Sequence, residues 1–205
     1  MQDVVVTTVH HSGPPRPKRD VVERLMVLFP RAYRRLAARL LPRLSPRSRL
    51  RRALLCRTTI SAYAAFYRQD FDLILVRFSP DVVYEFDPGL QTLGLSGVFR
   101  GHEGMLEAFG NLTEAWESWE LEPSYILDLG DRMLTLGFNR SRARGSGVPL
   151  EEEYAQLVTL SQGVVTHFQN FFSWEEALRA AGLDPAVIAL PVRGKTGEPA
   201  NRASA

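Results

Sequence analysis

The feature that most constrains the fold of this chain is a change in the period of its hydrophobic residues near residue 120. Before that point, apolar residues recur at three- and four-residue spacing, which is typical of amphipathic helices. From Leu121 onward they alternate with polar residues in segments separated by glycine-containing turns, namely LEPSYILDLG, DRMLTLGFNRSRARG, PLEEEYAQLVTLSQG and VVTHFQNFF. This order predicts an α+β fold, with helices on one face of a curved antiparallel sheet.

Start and stop signals divide the first half of the chain into helices. DVVERLMVLF ends before Pro30 and PRAYRRLAARLL ends before Pro42. A longer helix then begins with Ser45 as its cap and Pro46 in its first turn. A short helix, DFDLILVRF, a strand, DVVYEF, and a helix over GHEGMLEAFGNLTEAWESW precede the four strands. Ser173 is predicted to cap a last helix, SWEEALRAAG.

Composition divides the chain into parts. Residues 1–19 and 185–205 are rich in proline and charge, which predicts a disordered N-terminus and a flexible C-terminal tail. We expect a basic amphipathic helical extension over residues 20–45 and the main domain over residues 46–184. From Arg16 to Arg57 the chain has 14 Lys or Arg and two acids, whereas the part from Thr58 onward has 11 basic and 20 acidic residues.

Three kinds of partner fit the basic extension. It could cover the acidic exterior of the main domain or of a second copy, lie on an anionic membrane surface, or contact a nucleic acid. The acids beyond Thr58 favour the first interpretation, with weak membrane-surface contact through residues 20–45 as the second. A nucleic acid is disfavoured because no recognition motif or aromatic stacking platform accompanies the arginines.

Several classes of protein are excluded by the sequence. The chain contains no run of about 18 apolar residues, so no membrane-spanning helix is predicted. The first residues, MQDVVVTTVHHSGPP, lack the basic region and the cleavage site of a signal peptide. Cys56 is the one cysteine, so no internal disulfide can form, and we predict a cytoplasmic protein. The sequence has no histidine spacing typical of a metal site, no phosphate-binding glycine loop and no dinucleotide fingerprint, so no metal or cofactor is expected.

Four stretches between about residues 57 and 182 resemble one known family: AAFYRQDFDLILVRFSPDVVYEFDP, FRGHEGMLEAF, RSRARGSGVPLEEEYAQLVTLSQGVV and SWEEALRAAGL. They are similar to the SnoaL-like group of the nuclear transport factor 2-like superfamily, which includes ketosteroid isomerases, limonene epoxide hydrolases and polyketide cyclases. The resemblance implies a cone, in which a bent sheet wraps around helices and encloses a mostly apolar cavity. It also implies a small hydrophobic ligand and a homodimer formed through the back of the sheet.

The resemblance implies a set of catalytic residues. DVVYEFDP is similar to the isomerase strand whose final Asp-Pro supplies the proton-shuttling base, and Asp87 falls on that base. An apolar cavity raises a carboxyl pKa toward neutrality, as a general base requires. Ala62 corresponds to the oxyanion-binding tyrosine, with Tyr63 one residue away, and Gln156 corresponds to the protonated acid. Asp-Pro-Gly is also a common strand-ending turn, so a structural role for Asp87 stays open.

Strand alternation predicts which other side chains face the cavity. If Gln156 points into the cavity, Tyr154 on the same strand does so too. A turn at Gly145-Ser146 sets position 138 opposite position 153, and in that register Asn139 also points into the cavity. The same turn places Arg140 and Glu153 outside, in an exposed ladder of opposite charges. A single bulge near RGSG would instead bring both of these residues into the cavity.

The last strand and the aromatic residues complete the predicted cavity. His167, Gln169 and Phe171 are expected to face inward, where His167 could titrate usefully near neutral pH; its structural alternative is a partly buried histidine at the dimer seam. Tyr84, Trp116 and Trp119 either line the cavity or pack in the core. The candidate ligand-binding residues are therefore, from this strand and the preceding ones, Tyr84, Trp116, Asn139, Tyr154 and Phe171.

Two functions follow from these residues. The first is a cofactor-free isomerase, cyclase or hydrolase that acts on a small hydrophobic carbonyl, epoxide or polyketide-like compound. In that reading Asp87 is the general base, and Gln156, Tyr63 or His167 donates a hydrogen bond to the reacting oxygen. The second is a non-catalytic module that binds a ligand or forms a dimer.

Overall fold

The computed structural model describes residues 4–9, 18–86, 97–143 and 149–186. Its helices are α1 (Val21–Leu28), α2 (Pro30–Leu40), a 3-10 turn (Leu41–Arg43), α3 (Arg49–Tyr67), α4 (Phe71–Leu75), α5 (Gly101–Ala115) and α6 (Trp174–Ala180). Its strands are β1 (Val5–Thr8), β2 (Phe78–Glu85), β3 (Val98–Arg100), β4 (Trp116–Asp128), β5 (Arg132–Ala143), β6 (Pro149–Ser161) and β7 (Val164–Phe171).

The strands form one sheet in the order β1-β4-β5-β6-β7-β2-β3 over the described residues. Every neighbouring pair is antiparallel except β2 and β7, which run parallel. A parallel pair requires a long crossover connection, and the chain supplies one because α5 and four strands lie between β2 and β7. The predicted α+β class and curved, mostly antiparallel sheet are confirmed.

Each face of the sheet carries its own core. The inner face packs against α3, α4 and α5 through a cluster that includes Leu73, Tyr84, Met105 and Phe168. The outer face carries α6, which buries Leu178 against a second cluster formed by β4, β5 and β6. The helix α6 therefore occupies part of the face through which a homodimer is predicted, and that dimer stays a prediction.

The basic extension packs against the main domain. Met26 of α1 is buried in the inner core, and Tyr33 of α2 packs on the same cluster. The Arg34 guanidinium donates to the carbonyls of Leu75, Val76 and Phe78 at 3.3, 3.1 and 3.2 Å. Main-chain carbonyls and apolar contacts therefore hold α2 in place, in addition to the charge attraction that the composition suggested.

The turn between β6 and β7 contacts α2 closely. Gly163 in this turn has φ +78°, and a Cβ atom there would lie 2.4 Å from the backbone nitrogen of Ala38. Both the backbone conformation and the contact therefore require glycine at this position.

Three local predictions are wrong before residue 120. Residues 1–19 were expected to be disordered, but Val5–Thr8 form β1 on β4 because a run of β-branched residues suits an edge strand. The cap of α3 is Ser48 rather than Ser45, and its side chain accepts from the Arg51 N–H. Helix α5 ends at Ala115, so the residues from Trp116 to Trp119 belong to β4 instead.

A buried ion pair joins α3 to the sheet. The Arg51 guanidinium binds both carboxylate oxygens of Asp128, with Nε 2.5 Å from Oδ2 and Nη2 2.8 Å from Oδ1. Both residues are less than 5% exposed, at 4% and 3%. The same guanidinium donates to the carbonyls of Leu41 and Gly130, each at 2.6 Å, so all three of its nitrogen atoms have hydrogen-bond partners.

We expect Asp128→Asn to lower the free energy of unfolding by about 3–5 kcal/mol, because it leaves the Arg51 charge buried without a counter-ion. Urea denaturation followed by circular dichroism measures this change. Arg57→Gln is the matched control, since it breaks the more exposed Arg57–Asp20 pair and should cost less than about 1 kcal/mol. Equal losses for the two variants would contradict the importance of the buried pair.

Candidate functional site

A cavity of about 160 Å³ lies between the helices and the inner face of the sheet. Helix α3 contributes one wall and the inward residues of β5, β6 and β7 another, while Tyr33 of α2 closes a third side. Most of the lining is apolar, including Leu55, Phe66, Leu112 and Val158. Aromatic side chains therefore surround the cavity without filling it.

Helix α3 aims Tyr63 at the sheet because its buried residues recur every four positions. Arg51, Leu55, Thr59 and Tyr63 are all buried along one stripe of this helix. Ala62, which corresponds to the oxyanion-binding tyrosine of the isomerases, also reaches the cavity wall next to Tyr63. The tyrosine next to the expected position therefore lines the cavity.

Three polar side chains form a hydrogen-bonded chain at the cavity. The Tyr154 hydroxyl donates to the Tyr63 hydroxyl at 2.9 Å, and Tyr63 donates to Gln156 Oε1 at 2.5 Å. Because the Gln156 carbonyl is used in this way, its amide N–H groups are directed elsewhere, and they have no partner among the described residues. Gln156 lines the cavity, so this chain ends in a hydrogen-bond donor available to a ligand.

The hydroxyl chain depends on a glycine in β5. Gly137 lies opposite Tyr154 in the sheet, and a Cβ atom at Gly137 would lie 2.6 Å from the Tyr154 ring. The missing side chain leaves room for that ring, which meets Tyr63 edge-on with the centroids 6.3 Å apart. Burial raises the pKa of Tyr63 and of Tyr154 above the ordinary value, so both hydroxyls keep their protons.

A second polar pair lies on β2 and β7. The Asn170 amide donates to the Tyr84 hydroxyl at 2.5 Å, and both residues line the cavity. The Tyr84 ring stacks on Phe168 with the centroids 4.8 Å apart, which fixes its position. Burial raises the pKa of Tyr84 above its ordinary value, so this hydroxyl also stays neutral and can donate.

The indole of Trp119 adds a further donor to the wall. Its Nε1 atom is buried and has no hydrogen-bond partner among the described residues. Trp119 lines the cavity and packs edge-on against Phe66 at 5.2 Å. A buried N–H without an acceptor is energetically unfavourable, so an acceptor supplied by a ligand would relieve that cost.

The structure brings together only some of the predicted catalytic residues. Tyr63 and Gln156 are in direct contact at the cavity, whereas Asp87 lies outside the described residues. Among the residues that the structure describes, no aspartate or glutamate lines the cavity. The described wall therefore offers hydrogen-bond donors and no carboxylate base.

The predicted orientation of β7 is wrong because the strand contains a bulge. Leu160 pairs with Val165, as a two-residue turn requires. The next residue, Thr159, pairs with His167, so Thr166 is an extra residue on β7. One extra residue exchanges the two faces of the rest of a strand.

The bulge reassigns five side chains. Phe168 and Asn170 face the cavity, although neither was predicted to do so. Phe171 packs in the outer cluster instead of the cavity. His167 and Gln169 lie with Glu85 away from the cavity, where His167 Nε2 is 3.2 Å from a Glu85 oxygen and the Gln169 amide donates to the other at 2.7 Å. His167 is therefore not placed to act in the cavity.

The register between β5 and β6 agrees with the expected turn. Phe138 lies opposite Glu153, and Arg140 lies opposite Glu151. Arg140 is 46% exposed and contacts Glu122 at 3.2 Å and Glu151 at 3.5 Å, so it belongs to a ladder of opposite charges. The alternative that would bring Arg140 and Glu153 into the cavity is wrong.

The remaining candidates differ in position. Tyr84 lines the cavity, and Tyr154 lies directly behind Tyr63. Asn139 is fully buried on the same face of β5 as Thr135, and its amide donates to Ser141 at 3.4 Å, but it is not part of the cavity wall. The side chain of Trp116 lies outside the described part of the chain.

The described residues contain neither a metal-binding cluster nor a membrane-spanning helix. No group of three or more His, Cys, Asp or Glu side chains in 4–9, 18–86, 97–143 and 149–186 could hold a metal ion. None of the helices described there combines the length and apolar character that a membrane span requires.

Comparisons with solved structures identify the fold. The chain is similar to an NTF2-like protein of unknown function from Burkholderia pseudomallei, with a TM-score of 0.53, 24% identity, and 60% of this chain and 93% of that chain covered. It is also similar to TerC co-crystallized with polyporic acid, with a TM-score of 0.52, 23% identity, and coverage of 62% and 95%. For a putative SnoaL-like polyketide cyclase from Jannaschia sp., the TM-score is 0.53, with 16% identity and coverage of 69% and 100%.

Sequence comparisons agree with the structural ones. An uncharacterized protein of Mycobacterium tuberculosis is 30% identical over 112 residues, which cover 54% of this chain and 82% of that protein. The model of the SnoaL-like domain family matches residues 60–168, a span that includes Tyr63, Tyr84 and Gln156. The chain therefore belongs to the SnoaL-like domain family and has the NTF2-like fold.

Proposed function

We propose that this protein binds a compact apolar molecule that carries one hydrogen-bond acceptor oxygen, such as a carbonyl. The observation that supports this proposal is the pairing of an apolar wall with unpartnered donors: the Gln156 amide at the end of the tyrosine chain and the Trp119 indole. An acceptor oxygen complements those donors, and an apolar body fits the wall. A protein of the same fold, TerC, has been co-crystallized with a small molecule.

The size of the cavity restricts the ligand. A closed apolar cavity of about 150 Å³ accommodates benzene, whereas pockets for drug-sized ligands are about 300–1,000 Å³. The cavity here is about 160 Å³, close to the first value. A molecule with one substituted ring is therefore the best match, and a ligand with several fused rings would require the walls to move apart.

We expect acetophenone to bind about 10-fold more tightly than ethylbenzene, which has a similar shape and no acceptor oxygen. Gln156→Leu should lower that preference while leaving the affinity for ethylbenzene nearly unchanged, because the Trp119 indole remains as the other donor. Isothermal titration calorimetry measures both affinities. Gln169→Leu is the matched control on the other face of the sheet and should keep the preference. Equal affinities for the two probes in the unmodified protein would contradict the proposed role of the donors.

We expect the affinity for acetophenone to stay constant from about pH 7 to 9.5. The phenol is neutral while protonated, and burial raises the pKa of Tyr63 and Tyr154 above the ordinary value near 10. The hydroxyl chain therefore remains protonated throughout this range. Titrations at several pH values test this expectation, and an affinity that begins to fall below pH 9.5 would show that these tyrosines ionise like exposed ones.

A second candidate function is cofactor-free proton transfer next to a carbonyl. Donors that hold a carbonyl oxygen also stabilise the enolate that forms when the neighbouring carbon loses a proton. The base would be Asp87, which follows β2 by two residues in the sequence; Tyr84 of the same strand lines the cavity. Isomerases and cyclases of this kind need no metal or cofactor for that step.

Exchange of the acetophenone methyl protons with D₂O tests this second function. The protein should accelerate the loss of the methyl signal in proton NMR spectra, because a base that removes the proton can return a deuteron. Asp87→Asn should abolish the acceleration and keep the binding of acetophenone. Binding without any acceleration would support a non-catalytic binding module, and acceleration that survives Asp87→Asn would exclude Asp87 as the base.

A further inference from the structure

Helices α1 and α2 expose an unusual number of large apolar side chains. Eight of the eleven exposed large hydrophobic residues in the described ranges lie between Val21 and Leu50. Leu28 and Phe29 at the junction of the two helices are 69% and 59% exposed, and Leu36 of α2 is 57% exposed. Isolated exposed apolar residues are normal on a protein surface, but such a concentration marks an interaction surface.

The same helices carry exposed arginines without acidic neighbours in sequence. Arg31, Arg35 and Arg39 of α2 are exposed and have no ion-pair partner among the described residues. Glu23 is the one acid from Val21 to Gln69, and it is buried and bonded to Ser61 and Arg68. This surface is therefore strongly positive as well as apolar.

The exposed side of α2 divides into two neighbouring strips. At about 100° per residue, Arg31, Arg35 and Arg39 lie along one strip, and Leu36 and Leu40 lie along the next. The remaining side of α2 contacts the domain through Arg34, Ala37 and Ala38, and Tyr33 lies at the border between this side and the leucine strip. Both leucines are exposed, although Leu36 and Leu40 follow Tyr33 at the three- and four-residue spacing of an apolar helix face.

Charge restricts what can cover this surface. A second copy placed symmetrically on it would bring its own arginines against these arginines. The segment 187–205 has three basic residues and one acid, so it does not complement the arginines either. A nucleic acid would satisfy the charge, but it offers no apolar layer for aliphatic side chains such as Leu28 and Leu36.

We propose that α1 and α2 form a docking surface for an anionic lipid bilayer, on which the protein lies peripherally. Acidic headgroups would pair with Arg31, Arg35 and Arg39, while Leu28, Phe29 and Leu36 would enter the boundary between headgroups and acyl chains. An anionic bilayer therefore complements both the exposed arginines and the exposed apolar side chains of this surface. This surface is separate from the interior of the cavity, so docking to the bilayer does not depend on the ligand of the cavity.

Co-sedimentation of the full chain with vesicles tests the proposal. At 100 mM NaCl, we expect binding to vesicles of phosphatidylcholine with one quarter phosphatidylglycerol, and at least 10-fold weaker binding to phosphatidylcholine alone. Replacing Arg31, Arg35 and Arg39 together by Gln should lower partitioning to the anionic vesicles by about 100-fold, since each basic residue contributes roughly a factor of five. No binding to the anionic vesicles would overturn the proposal.

Matched variants separate the apolar component from general effects. Leu28→Gln with Leu36→Gln should lower partitioning by about 10-fold or more, and glutamine preserves helix propensity. Arg100→Gln with Arg179→Gln and, separately, Leu106→Gln change exposed residues elsewhere and should have no effect. Circular dichroism verifies that each variant folds. Equal losses for the control variants would contradict a localised surface.

Two other partners for this surface, a second copy of the chain and a nucleic acid, can be tested with the same protein variants. If light scattering shows a dimer that the arginine replacement dissociates, a second copy covers the surface and the lipid proposal fails. Tighter binding to a DNA or RNA duplex than to the anionic vesicles, at the same salt concentration, would overturn it in favour of a nucleic acid.

Discussion

The buried ion pair between Arg51 and Asp128 is the interaction on which the arrangement of helices and sheet depends. It joins the first turn of α3 to the end of β4, and the same guanidinium binds carbonyls on both sides of that junction. Since leaving either charge unpaired in the interior is costly, α3 is held at one position along the sheet. Tyr63 lies three turns farther along the same buried stripe, where it meets Gln156.

The polarity of the cavity follows from this docking. The Tyr154 hydroxyl donates to the Tyr63 hydroxyl, which donates to the side-chain carbonyl of Gln156. The amide N–H groups of Gln156 are therefore the donors that remain at the cavity wall. The indole of Trp119 adds another donor without a partner in the described structure. A cavity with unpartnered donors in its wall favours a ligand oxygen, and it would favour negative charge that develops on that oxygen during a reaction. Helix α2 closes one side of this cavity with Tyr33 and presents arginines on its exposed side.

Much of the architecture was predictable because period and turn chemistry act locally. The alternation from Leu121 onward identified the long strands, and the turn near Gly145 gave the observed pairing of Phe138 with Glu153. The face of β7 was not predictable in the same way. The extra residue at Thr166 leaves the local sequence pattern readable as an ordinary strand, yet it moves Asn170 into the cavity and His167 out of it. Likewise, β1 depends on pairing with β4, more than 100 residues away in the chain.

The sequence by itself determined the types of element, the α+β class and the basic character of the first helices, and it named a tyrosine on α3 and a glutamine on β6 as separate candidate site residues. These features depend on local periodicity and composition, together with one resemblance to a known family. Tertiary structure alone decided which face of β7 meets the cavity, which leucines of α2 stay exposed and which donors lack partners. Alternation defines two faces of a strand, and only packing against distant residues decides which of them is buried.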